Sequence, residues 1–137
     1  MNVLNSAAFA RLENAAYASE LRQRVMTDNI ANAETPHFKR QEVLFEQLLE
    51  QSMGNKPSSV SGYRTDARHI AIGSQKSNMP AAKVVTDDST TMNINENNVD
   101  LDREMALLAK NQLNYNLYTK QISHEIKMMR TAIDGRA

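Results

Sequence analysis

Apolar positions along the chain fall into three regimes. From residue 3 to about 33, Phe9, Leu12, Ala16, Met26 and Ile30 recur at steps compatible with three and four, and neither Gly nor Pro occurs before Pro36. This predicts one helix over residues 3–33, roughly 45 Å long at about 1.5 Å per residue. A second apolar piece, Phe38, Val43, Phe45, Leu48 and Leu49, predicts an extended lead-in and then a short helix within residues 34–51. Residues 52–98 lose the pattern. Gly54, Gly62, Gly73, Pro57 and Pro80 fall there among Ser, Asn, Asp and Thr, and only Arg68–Ile72 and Lys83–Val85 suggest strands. A segment of this kind is expected to be irregular, weakly β or flexible.

The strongest periodicity spans residues 100–134. Leu101, Met105, Leu108, Gln112, Tyr115, Thr119, Ile122, Ile126, Met129 and Ile133 alternate steps of four and three, and only Gln112 and Thr119 are polar. The stripe persists for over four heptads and predicts a helix roughly 50 Å long. Asp100, Asp102 and Glu104 suit a helix start, Lys127 and Arg130 suit a helix end, and Gly135 follows as a C-terminal cap.

Two long terminal helices around a core-poor middle predict a mainly α fold. The helices pair as an antiparallel coiled coil, and a middle segment returns the chain along them within a single domain of residues 1–137. Further apolar residues lie off the main stripe: Leu107, Leu117 and Met128 at the C-terminal end, and Leu4, Leu21 and Val25 at the N-terminal end. They suit either neighbouring subunits or the Phe38–Leu49 segment of the same chain.

Composition narrows the function. Sixteen basic and sixteen acidic residues balance, which argues against a dedicated nucleic-acid binder. Cysteine is absent, so disulfides, thiolate nucleophiles and Cys-ligated metals are excluded. The N-terminal stretch lacks an early basic region, and Arg11, Glu13 and Glu20 interrupt any apolar core, so no cleaved signal peptide is expected. Aromatics are 5% and Trp is absent, while Ala and Met are plentiful, a mix that favours close helix contacts over a thick core. No apolar run approaches the roughly 18 residues of a membrane span.

Candidate chemistry is sparse. His37, His69 and His124 have no metal-ligand spacing, and His124 and Glu125, being adjacent on a helix, point about 100° apart. No phosphate loop or nucleophile elbow occurs, the Asp87–Asp88 and Asp100/Asp102 pairs suit solvation and capping, and Lys39–Arg40 is too small a basic spot for nucleic acid. No enzyme, cofactor or metal site is expected. The polar stretch NIANAETPHF instead reads as a structural joint. Pro36 lacks an N–H and disfavours helix at Thr35, Asn32 can take the left-handed conformation of a helix end, and Phe38 is expected to pack against the helices.

The same stretch carries a resemblance. NIANAETPHFKRQEVLFEQLL, Asn29 to Leu49, resembles the signature of the bacterial flagellar axial family of rod and hook proteins, typically N-x-A-N-x-x-T-P-G-Y. NNVDLDREMALLAKNQLNYNLYTKQISHEIKMMRTAI, Asn97 to Ile133, resembles the last helix of that family's short proximal-rod members. With the N-terminal helix the resemblance covers about two thirds of the chain. The sister rod protein FlgC shares the N-V-D start but typically continues with a serine-arginine-serine-tyrosine-like stretch where this chain has Asn111–Tyr115, and longer members carry insertions that 137 residues cannot hold.

The resemblance implies a structural rod subunit of the flagellar basal body, exported without a cleaved signal and polymerising through its terminal helices to couple the MS ring to the rest of the rod. It implies as partners other copies of itself, FlgC- and FlgF-like rod proteins, the adaptor FliE and the MS-ring protein FliF. The joint would comprise Asn29, Asn32, Thr35, Pro36, His37 and Phe38. The assembly stripe would comprise Leu101, Met105, Leu108, Tyr115, Ile122, Ile126, Met129 and Ile133. One departure stands out: His37–Phe38 replaces the usual Gly-Tyr, so the turn differs, or the position does not need a positive φ, or histidine adopts one at a cost. The alternatives are another short rod protein such as FlgC, or a soluble helical export adaptor or binding module. An amphipathic membrane-surface helix is disfavoured because neither stripe has a lysine-rich flank.

Overall fold

The computed structural model describes residues 7–54, 80–92 and 96–135. Its elements, in chain order, are helix α1 (Ala7–Ala31), strand β1 (Gln41–Leu44), helix α2 (Glu46–Gly54), strand β2 (Lys83–Thr86) and helix α3 (Leu101–Asp134). The fold is mainly α, with long N- and C-terminal helices packed on each other and a small two-stranded sheet between them. Leu4 and the strand candidate Arg68–Ile72 lie outside the described residues.

Local chemistry sets the ends of α3. Asp100 is its N-cap, with an extended backbone and a side-chain oxygen that accepts from Arg103 N–H at 3.1 Å. Gly135 closes the helix at φ 63, where a Cβ would be strained, and its N–H donates to Thr131 O at 2.9 Å. α1 stops differently. Its last turn tightens through Asn32 N–H to Asp28 O and Asn29 O and Ala33 N–H to Ile30 O, and Asn32 Nδ2 donates back to Asp28 O at 2.8 Å.

α1 and α3 run antiparallel: Ser19 meets Asn111, and ten residues further along α1, Asn29 meets Glu104. β1 pairs antiparallel with β2, from Gln41↔Thr86 to Leu44↔Lys83, and Asp87 N–H extends the ladder to Arg40 O. Among the described residues Ala18, Val25, Val43, Phe45 and Val99 are the buried apolar ones, a small core where α1, the sheet and the lead into α3 converge. Val25 and the half-buried Leu21 thus face inward, which favours the intrachain reading of that second apolar set at the N-terminal end.

The helix seam does not coincide with the heptad stripe of α3. Buried on the seam are Glu104 and Asn111 of α3 and Ala18, Ser19, Val25 and Asn29 of α1. Of the stripe, Leu108, Ile122 and Met129 are half-covered, while Leu101, Met105, Tyr115, Ile126 and Ile133 are exposed. The seam line runs through Glu104 and Asn111, seven residues apart on α3, and the apolar stripe lies beside it, exposed at Leu101 and Met105 near one end and at Ile126 and Ile133 near the other.

Candidate functional site

Three segments meet at the end of α1: the joint 28–40, the start of β1, and residues 96–104 leading into α3. Each supplies buried polar groups. Asn29, Asn97 and Glu104 are fully buried, and Arg40 and Asn98 nearly so. A buried polar group is tolerated only when it is bonded, and here nearly every bond crosses between segments.

Asn29 acts as a strand surrogate. Its Oδ1 accepts from Gln41 N–H at 3.0 Å and its Nδ2 donates to Gln41 O at 2.9 Å, so one side chain satisfies both main-chain groups at the free edge of β1. The same Nδ2 reaches Glu104 Oε2 at 3.1 Å. Glu104 is paired through its other oxygen with Arg40 Nε at 2.7 Å, and Arg40 also reaches Glu42 Oε2 at 2.9 Å. Burial opposes the Arg40 charge, but its bonds to Glu42 and Glu104 outweigh that and hold its pKa above the ordinary guanidinium value.

Asn97 and Asn98 hold the return of the chain. Asn97 Nδ2 donates to three carbonyls of the joint, Asn32 O at 3.0 Å, Ala33 O at 2.9 Å and Thr35 O at 3.0 Å. Its Oδ1 accepts from Val99 N–H at 2.6 Å. These carbonyls follow the last turn of α1 and have left the helical ladder, so a bidentate amide substitutes for it. Asn98 Oδ1 accepts from Arg40 N–H at 2.6 Å, and its Nδ2 donates to Asp87 O at 2.7 Å. Asp87 lies below the ordinary carboxylate range, because the Ser89 hydroxyl and N–H and the Thr90 hydroxyl all donate to its charged form.

The turn itself answers the question posed by His37. Phe38 N–H donates to Thr35 O at 3.3 Å, which closes a four-residue turn with Pro36 at its second position and His37 at its third. His37 has φ 61. This is the arrangement of a type II turn, in which the third residue needs a positive φ and is usually Gly or Asn. The position does need the left-handed conformation, and histidine adopts it. Asn32, expected to be left-handed, is not: among the described residues only His37, Glu96 and Gly135 have positive φ. Its amide is committed to the helix end instead. His37 Nδ1 lies 3.1 Å from Glu96 Oε2, the other left-handed side chain, in an exposed contact.

The predicted joint residues thus have different roles. Asn29 is a buried bridge, Asn32, Thr35 and Pro36 shape the turn, His37 bears its unusual backbone, and Phe38 is half-buried. The partners that hold them, Arg40, Asn97, Asn98 and Glu104, carry no site motif in the sequence. Their only local signal is polarity adjoining helix boundaries, which capping equally explains.

A cleft of about 300 Å³ adjoins the joint between α1, the β1–α2 corner and α3. Val25, Val43, Phe45 and Leu107 line its apolar part and Arg22, Glu46 and Lys110 its polar part, with Arg22 bonded to Glu46. Leu107 is turned towards this cleft, while Leu117 and Met128 are exposed. Among the described residues no group of three or more His, Asp or Glu could hold a metal ion, and no helix is long and apolar enough to cross a membrane.

No family model matches the chain. Curated proteins do. The chain is 35% identical over 132 residues to the flagellar basal body rod protein FlgB of Bacillus subtilis, covering 96% of this chain and 97% of that protein. It is 38% identical over 109 residues to FlgB of Borreliella burgdorferi (78% and 81% covered) and 33% identical over 118 residues to FlgB of Cereibacter sphaeroides (85% of each).

Proposed function

The chain belongs to the FlgB family of flagellar basal body rod proteins, structural components of the flagellum basal body, and on that premise we propose that it polymerises through its terminal helices into the proximal rod and couples the MS ring to the rest of the rod. Its partners in this reading are other copies of itself, the FlgC- and FlgF-like rod proteins, the adaptor FliE and the MS-ring protein FliF. The observation that carries the reading is the division of labour on α3. Polar residues occupy the seam with α1, and apolar residues such as Leu101, Met105, Leu117 and Ile126 are left exposed.

That distribution is costly for an isolated subunit and useful for an assembling one. Exposed apolar surface of this kind is stabilised by burial at about 25 cal/mol per Å², and a contiguous patch on a small protein usually marks an interface. The joint contributes by fixing how α1 and α3 lie on each other. Its amide, guanidinium and carboxylate groups are satisfied in one register only, as a buried polar residue in a coiled coil is. In this reading the joint holds the helix pair in one register, and the exposed apolar residues of α3 form the contact face.

Charging the stripe tests the reading. Ile126→Glu is expected to leave the helical signal of the purified chain intact but to abolish rods and motility in cells that depend on it. Motile cells with intact basal bodies built from this variant would refute the stripe as an assembly surface.

A further inference from the structure

The geometry points to a specific pairing of surfaces that rests on the rod reading: the cleft of one copy receives the α3 stripe of a second copy at the exposed Leu101 and Met105 and the half-covered Leu108. The two surfaces sit on opposite flanks of the helix seam. On α3, Leu107, Lys110 and Asn114 line the cleft, whereas Leu101, Met105 and Leu108 lie roughly 150° away at 3.6 residues per turn.

The surfaces also match in chemistry and length. The cleft offers an apolar floor from Val43, Phe45 and Leu107, with polar groups at its mouth, and it follows α3 for two turns, from Leu107 to Asn114. The stripe offers two turns of apolar side chains, with Leu101 43% and Met105 53% exposed. The rim carries Lys110, which forms no ion pair among the described residues, and beside the stripe stands the exposed acid Asp102. Apolar side chains in a pocket, ringed by a complementary charge pair, are the usual anatomy of a productive contact.

Placement decides the symmetry. A surface that fits itself closes a two-fold dimer and stops. A stripe on one flank that fits a cleft on the other leaves a free stripe and a free cleft at the ends, so the contact repeats as an open helical series. Each added copy would present the same unfilled cleft to the next.

The absence of cysteine from the chain makes the test clean. Met105→Cys marks the stripe, and Gln47→Cys, at the exposed mouth of the cleft, marks the other surface. The full-length double variant is produced in flagellated cells lacking the native copy, and isolated basal bodies are oxidised and run on a non-reducing gel. The expected result is a ladder of dimer and higher multiples from the double variant, with monomer alone from each single variant. Assembled basal bodies that give no ladder overturn the pairing while leaving the rod reading intact, and a dimer from Met105→Cys alone overturns it in favour of a two-fold contact. Absence of the unsubstituted chain from basal bodies overturns the rod reading and the pairing together. If the double-cysteine chain does not assemble, charge exchange decides. Lys110→Glu is expected to lower rod assembly at least tenfold and Asp102→Lys in the same chain to restore it, and failure of that restoration overturns the pairing.

Discussion

Replacing Asn97 by aspartate should be worse than replacing it by alanine, although aspartate is nearly the same shape. In the native chain one amide nitrogen serves three carbonyl oxygens, and one amide oxygen serves Val99 N–H. Asn97→Ala removes all four contacts. Asn32 O retains Thr35 N–H and Thr35 O retains Phe38 N–H, so the groups orphaned are Ala33 O and Val99 N–H. Each buried orphan costs about 1–3 kcal/mol, which sets the loss at roughly 2–6 kcal/mol. Asn97→Asp keeps the bond to Val99 N–H but turns an anionic oxygen onto three carbonyl oxygens in a site shielded from water. Burial and these facing dipoles would raise the carboxyl pKa above the ordinary aspartate range.

A carboxyl whose folded pKa is raised is destabilising in its charged form, so the penalty is absent below the unfolded pKa, about 3.9, and grows as pH rises through the folded value. Urea unfolding of the purified chain, followed by circular dichroism at 222 nm, is expected to rank native above Asn97→Ala above Asn97→Asp at pH 7. The aspartate variant should recover stability relative to the alanine variant by pH 5. An aspartate variant more stable than alanine at pH 7, or one with no relative gain on acidification, would show that the three-carbonyl clamp does not hold the joint.

Two further substitutions probe the same region. Arg40→Ala leaves the fully buried Glu104 without its cation and is expected to cost about 3–5 kcal/mol, read as a lower midpoint in the same unfolding experiment. At the left-handed turn, His37→Gly is expected to be neutral or slightly stabilising, because relief of the strain offsets the added unfolded-state entropy. His37→Val, a β-branched residue at φ 61, should cost about 1–2 kcal/mol, and equal thermal midpoints for the Gly and Val variants would contradict the turn assignment.

Much of the architecture was legible because it is local. The 3.6-residue pattern marks both long helices, Asp100 and Gly135 mark the ends of α3, and Phe38–Leu49 reads as an extended lead-in before a short helix. Thr35–Pro36 marks a turn for the same reason: proline fixes its own φ and removes a donor whatever surrounds it. The candidate strand at Lys83–Val85 formed as β2, Lys83–Thr86. The clamp was not legible, because Arg40, Asn97, Asn98 and Glu104 acquire their meaning from partners up to 75 positions away, and in isolation a polar residue near a helix start looks like a cap.

What the sequence by itself determined is therefore the mainly α character, the two long terminal helices and the family signature that joins them. Periodicity, capping and turn chemistry are short-range and repeat wherever the same residues occur. Only the tertiary structure decided which face of each helix is spent inside the subunit. The heptad stripe of α3 invited the inference that apolar residues fill the seam. In fact Glu104 and Asn111 lie there, and Leu101, Met105, Tyr115, Ile126 and Ile133 of the stripe are exposed, because the face that α3 turns to α1 is set by contacts between residues far apart in the chain, such as Asn29 with Glu104 and Ser19 with Asn111. The left-handed histidine was settled at the same level. A positive φ at His37 is unfavourable locally, and it persists in a turn whose Thr35 carbonyl is bonded by Asn97, 62 positions further along the chain.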